Sequence, residues 1–186
     1  MMIKIYTKLE QLLKELNPKE YYINDTGDGH VCLIREENHA ILILKVACHM
    51  AEFVKPLIVL YNEEQGIRDI DLKIDFGIGI HSGGSVFTKV SSLKKSFAHG
   101  IVLNSAARVE SFTKTFPDTK LLFTQTFKTN LIGQVNKETS IGSSELKKQI
   151  LQVTSIPADI KDGKSKGHKL YTIPENEWSQ IASWLI

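Results

Sequence analysis

The segment Leu72-Lys73-Ile74-Asp75-Phe76-Gly77-Ile78-Gly79-Ile80 constrains the fold more than any other. Its apolar residues stand at 72, 74, 76, 78 and 80, a period of two that puts all five on one face of a β-strand. Such a face has to be covered, by helices or by a second sheet. Helical patterns are at hand. Ile3 to Leu16 carries apolar residues at 5, 9, 12, 13 and 16, and Asn17-Pro18 stops it. Asn38 can cap a long helix running to about Tyr61, with Pro56 inside it as a kink point. Gly100 to Phe116 reads as a third helix, and "QTFKTNLI" from Gln125 as a short fourth.

The remaining segments supply short strands. Tyr21 to Asn24 and Val31 to Ile34 flank a Gly-Asp-Gly turn. "HSGGS" turns the alternating strand, and "VFTKV" after it is expected to be its hairpin partner. Ser91 to His99 and Gly133 to Glu145 are polar and read as loops. "KLLFT" is a short strand, and "ILQVTSIPADI" and "HKLYTI" form a closing hairpin around "KDGKSKG". No repeat and no long linker divides the chain. The expectation is one domain over 1–186, an α+β sandwich with helices on one face of a mainly antiparallel sheet.

Bulk properties exclude several classes. A net charge of +2 offers no general attraction for nucleic acid, and the one dense basic run is Lys161 to Lys169. Ala40 to Leu60 is broken by Lys45, His49, Glu52, Lys55 and Pro56, so it predicts a core helix rather than a membrane span. The opening "MMIKIYTKLEQLLKELN" is amphipathic and does not read as a signal peptide. Cys32 and Cys48 lie in apolar segments without metal-ligand spacing and are expected to be reduced core thiols of a cytoplasmic protein. The tail "WSQIASWLI" reads as a terminal helix closing the core.

The turn in "YYINDTGDGHVCLI" has two readings. Asp-Gly between apolar runs is a hairpin signal and needs no further role. An exposed carboxylate at a strand end is also a ligand for a hard divalent cation.

Three ordered segments together resemble the catalytic domain of the class III adenylate and guanylate cyclases. They are Gly27-Asp28 in the turn, Phe76-Gly77-Ile78-Gly79-Ile80-His81-Ser82-Gly83, and Gly100-Ile101-Val102-Leu103-Asn104-Ser105-Ala106-Ala107-Arg108-Val109-Glu110. The third is the most specific, and the resemblance covers roughly 21–173, leaving 174–186 as an extension. It implies a ferredoxin-like, palm-like fold, usually dimeric, as a homodimer or with another cyclase-type chain. It also implies a nucleoside triphosphate substrate and two divalent ions, Mg²⁺ or Mn²⁺. Asp28 matches one of the family's two metal aspartates. Asn104 and Arg108 match its transition-state pair, one turn apart on one helix face. Lys166 resembles its triphosphate-contacting lysine. Taken alone, Arg108 reads as a solvated charge, Asn104 as a cap or packing residue, Lys166 as part of a basic loop, and His81 as a hydrogen-bonded rim residue.

The chain departs from the pattern in two places. No segment before Asp28 matches the family's first strand with its D-x-x-G-(F/S)-T aspartate. That strand is central in the family sheet, so its loss should leave unpaired backbone groups. The strand and its aspartate could come from upstream of Met1 or from a partner chain, or the domain could lack activity. Asp25, and less well Asp75, are candidate substitute ligands. The second departure is in base selection, where Tyr22 and Phe97 stand in place of the polar base readers. Aromatics there fit stacking on a base, as in the family's bacterial pyrimidine cyclases, or a filled and degenerate pocket. The two functional readings are therefore a nucleotidyl cyclase and a catalytically inactive cyclase-homology module that binds nucleotide or dimerises.

Overall fold

The computed structural model describes residues 1–67, 73–90, 95–116, 119–137, 155–156 and 169–184, with 86–90, 95–99, 155–156 and 184 described by backbone only. The expected turn "KDGKSKG", Lys166 within it, and much of the loop after Lys137 lie outside these residues. Helix α1 (Met2–Leu16) leads into an antiparallel hairpin, β1 (Tyr21–Asp25) and β2 (His30–Ile34). Helix α2 (His39–Glu64) follows, then β3 (Ile78–Ile80), β4 (Val86–Val90), β5 (Lys95–His99) and α3 (Ile101–Phe112). The chain ends through β6 (Leu121–Thr124), α4 (Gln125–Lys137), β7 (Ser155–Ile156), β8 (Leu170–Thr172) and α5 (Trp178–Trp184). The expected α+β class is what is seen.

Three sheets result among the described residues. The largest has the order β3-β6-β8-β7, parallel between β3 and β6 and antiparallel elsewhere. The hairpins β1–β2 and β4–β5 are separate two-stranded sheets. Strand β6 is buried on both faces, and its pleat sorts its side chains. Leu121 and Phe123 face a core built with Ala40, Leu44, Ala47 and Cys48 of α2, Phe127 and Leu131 of α4, and Trp178 and Ile181 of α5. Leu122 turns the other way, to Val109 of α3 and Leu170. A second core joins Leu9, Leu12 and Leu13 of α1 to Val46, Met50 and Val54 of α2 and Ile34 of β2. Helix α2 therefore lies between the hairpin and the large sheet and touches both.

Several expectations are corrected. Only Ile78–Ile80 of the alternating segment is strand among the described residues. Asn62, buried on α2, takes the place of a strand partner for Ile74: its Nδ2 donates to the Ile74 carbonyl (2.8 Å) and its Oδ1 accepts from the Ile74 N–H (3.0 Å). The backbone at Ile74 is satisfied by a helix side chain, and no ladder is needed there. "VFTKV" pairs with β5 and not with β3, whose partner is β6. The stretch expected as a loop to His99 thus contains a strand, and Gly133 to Lys137 belongs to α4. The closing strands pair antiparallel and the terminal helix packs on the core as expected, with Trp178, Ile181 and Ala182 buried.

Asn38 sits at the N-cap of α2 without making a side-chain cap bond. Gln134 of α4 does that work: its Oε1 accepts from Ala40 N (2.8 Å) and Ile41 N (3.2 Å). Two orphan donors at the helix start are thereby satisfied by a residue far along the chain.

Candidate active site

Helix α3 owes its position to two glycines. A Cβ on Gly79 would lie 2.2 Å from both the Ala106 carbonyl oxygen and the Glu110 amide nitrogen, so only glycine lets β3 rest against the helix backbone. Gly100 stands just before the helix at φ 142°, where a side chain is strained and would meet the Gly84 carbonyl at 2.8 Å. With Ala106 and Glu110 against the strand, about 100° of rotation per residue carries Asn104 and Arg108 to the opposite side. Both are exposed, and neither side chain makes a hydrogen bond or ion pair among the described residues. The one-turn spacing expected from the sequence is therefore presented outward, with Ile101 beside it at 78% exposure.

Asp28 is exposed at the tip of the β1–β2 hairpin. The turn is fixed without it. Asp25 Oδ1 accepts from Gly27 N (2.8 Å), and Thr26 N donates to the Gly29 carbonyl (2.9 Å). Tyr22 is half-buried on β1 opposite Leu33. Strand β5 lies beside β1, and Phe97 occupies its centre opposite Thr88, so the strands bearing the two aromatic positions are neighbours. The Phe97 side chain and Lys166 lie outside what is described. Helix α3 packs on β3 and β6, whereas the hairpin packs on α2.

The remaining candidates are engaged. His81 Nδ1 pairs with Thr124 Oγ1 at 2.9 Å, tying the end of β3 to the end of β6. Asp75 is ion-paired to Lys120 and accepts from Phe76 N at 2.8 Å. No group of three or more His, Cys, Asp or Glu able to hold a metal occurs among the described residues. Asp28 alone does not fit a pair of close cations, whose mutual repulsion demands more than one carboxylate. Sequence reasoning missed the roles of Asn62 and Gln134. Both act through amide contacts that hydrophobic periodicity does not register.

No protein-family model matches the sequence, and no curated protein matches it. Solved structures do match the fold. An adenylate cyclase from Trypanosoma brucei, described in its monomeric state, aligns with a TM-score of 0.54 at 16% identity over 91% of this chain and 76% of its own. The fold is that of an adenylyl cyclase domain. Two structures of a bacterial light-regulated adenylyl cyclase agree, with TM-scores of 0.55 and 0.56 at 14% and 15% identity over 98% of this chain. The chain spans about half the length of those two, 48% and 49%. At such identities the likeness is one of fold. On this cyclase fold, α3 displays Asn104 and Arg108, and the hairpin turn displays Asp28.

Proposed function

We propose that the chain is a nucleotidyl cyclase domain that converts a nucleoside triphosphate into a 3′,5′-cyclic nucleotide and pyrophosphate. The observation that carries this reading is the outward, unpaired Asn104–Arg108 face of α3 on a cyclase fold. A guanidinium without an internal partner is free to meet phosphate oxygens in bidentate fashion. In the reaction the ribose 3′-oxygen bonds to the α-phosphorus and its proton passes to solvent water. The bond from the α-phosphorus to the bridging oxygen breaks, and pyrophosphate departs. Arg108 stabilises the negative charge that builds on the transferring phosphate, and Asn104 orients the ribose. Tyr22 and Phe97 lie against the base and stack on it, and Phe97 has no group to sort it by hydrogen bonding as Asp or Thr would. Lys166 contacts the triphosphate.

Divalent ions, Mg²⁺ or Mn²⁺, would supply Lewis-acid activation in such a reaction. Asp28 would provide one ligand. A second carboxylate would enter with another segment. Among the described residues β2 pairs with β1 alone and β3 with β6 alone, which leaves an edge of each without a described partner. A strand from a second cyclase-type chain, in a dimer, would satisfy such an edge and carry the acid.

The test is product formation by the purified chain, alone and mixed with a cyclase-type partner, from each of the four nucleoside triphosphates with Mn²⁺ or Mg²⁺. A cyclic product is expected. Arg108→Ala should lower its rate about 10²- to 10³-fold, the usual cost of one charge-stabilising donor. Stabilisation by a nucleotide with no product under any condition would instead identify a binding module.

A further inference from the structure

The second half of α2 has two sides. Ala51, Val54, Ile58 and Asn62 turn inward and are buried. Lys55, Pro56, Val59, Leu60 and Glu63 turn outward and line a shallow groove of about 580 Å³. Val59 and Leu60 are each 51% exposed, and Pro56 stands one turn before them. Positions three and four apart are neighbours on a helix, so these three form one apolar patch rather than scattered residues. An apolar patch rimmed by charge is the usual mark of an interaction surface.

The rim decides what fits. Lys55 and Glu63 stand four residues before and four after Val59, and they carry opposite charges. A second copy of the helix laid antiparallel, with a twofold axis at Val59, brings Lys55 of each copy to Glu63 of the other. A parallel copy would bring Lys55 to Lys55 and Glu63 to Glu63, so the charges select the antiparallel arrangement. Glu52, further out on the same stripe, falls beside Gly66 of the other copy and meets no like charge. Glu63 makes no ion pair among the described residues. Lys55 is paired to Glu175, but that pair lies at the surface, and an ammonium with three donors can take a second carboxylate.

We propose that this stripe of α2 is a contact between two copies of this chain, an isologous antiparallel helix pair centred on Val59. Leu60 of one copy packs on Pro56 of the other, with the helix axes about 8–10 Å apart. The patch is small, so the dimer is weak and reversible, in the class that buries under about 1,200 Å². It is not the contact that would complete the candidate active site. Helix α2 covers the face of β6 that carries Leu121 and Phe123, whereas α3 covers the face that carries Leu122. The Asn104–Arg108 side of α3 stays uncovered, and the pairing stands whether or not the chain is a cyclase.

The experiment is sedimentation velocity on the full chain, without nucleotide or metal, over a wide range of protein concentration reaching millimolar. The wild type should pass from monomer to dimer. Val59→Asp, which places two carboxylates at the axis, should weaken the dimer by about tenfold or more. Lys55→Glu and Glu63→Lys should each weaken it as well, because each makes both rim pairs alike in sign. Mixed in equal amounts, those two variants should form a heterodimer, because every rim charge then meets its opposite. The substituted positions are exposed, so each variant should melt where the wild type does, and circular dichroism checks this. If Val59→Asp fails to fold, the mixture of charge variants still decides. A wild type that stays monomeric would overturn the proposal. So would a dimer indifferent to Val59→Asp, or a mixture that associates no better than either charge variant alone.

Discussion

At the scale of single residues, the tightest constraint is Gly79. A methyl group there meets two backbone atoms of α3 rather than a side chain that could swing aside. Gly79→Ala should therefore cost about 3 kcal/mol, the upper range for overpacking, read as a lower urea midpoint with an unchanged slope. An unaltered midpoint would mean that α3 can shift freely. Gln134→Ala is the complementary test from the polar side. It strips the cap from the Ala40 and Ile41 amides and should cost about 2 kcal/mol by the same measurement. The sequence marks these residues unequally. Gly79 is visible, because a glycine inside an alternating strand implies a close approach. Gln134 is not, because nothing local connects position 134 to position 40. Asp28 could be placed on its turn from Asp-Gly alone, while the imidazole of His30, whose buried nitrogens have no hydrogen-bond partner, is seen only once α1 is folded beside it.

At the scale of elements, the seam between α1 and α2 holds a titratable group. His49 is pushed below its ordinary value of 6.5, first by burial and then by Lys45, with a smaller push from Lys8, against opposing pulls from Glu52 and Glu15. Lys45 is also lowered by burial, partly offset by Glu15. A histidine depressed in the folded state binds its proton more readily in the unfolded chain. Its contribution to stability is complete above about pH 6.5 and is lost as pH falls from there through the folded value. Unfolding free energy should thus fall between pH 7 and 5, and His49→Gln should flatten that slope. An equal slope in the variant would assign the loss to other groups. The helices and the first hairpin are legible from periodicity and turn chemistry because their contacts are mostly local. Strand partners are less so. The period of two over Leu72 to Ile80 is genuine, yet it does not reveal that Asn62 would occupy the backbone at Ile74. Nor does it reveal that the partner of β3 is parallel and follows an intervening helix.

At the scale of the whole molecule, the proposed function includes assembly with another chain. If a second chain completes the site, the specific activity of the proposed reaction should rise with protein concentration in the range where sedimentation shows the monomer giving way. A flat specific activity through that transition would make each chain self-sufficient. Backbone exposure should follow the sheet order. Amides of β6, flanked by β3 and β8, should exchange with solvent far more slowly than the outward amide of Gly79, and comparable rates would contradict the pairing.

The place of β6 at the middle of its sheet also bears on how the chain is made. Its partner β3 leaves the ribosome first, but β8 comes only at Leu170–Thr172. Leu121, Leu122 and Phe123, all fully buried in the finished fold, must wait half-covered while that stretch is synthesised. A short apolar strand with an open side is a site for mispairing between nascent chains. Polypeptides stalled before Leu170 should recruit holdase chaperones strongly, and release past Thr172 should end that recruitment. The late strand would then act as the closing stitch of biosynthesis, and translation speed over the preceding residues would help set the yield of folded protein.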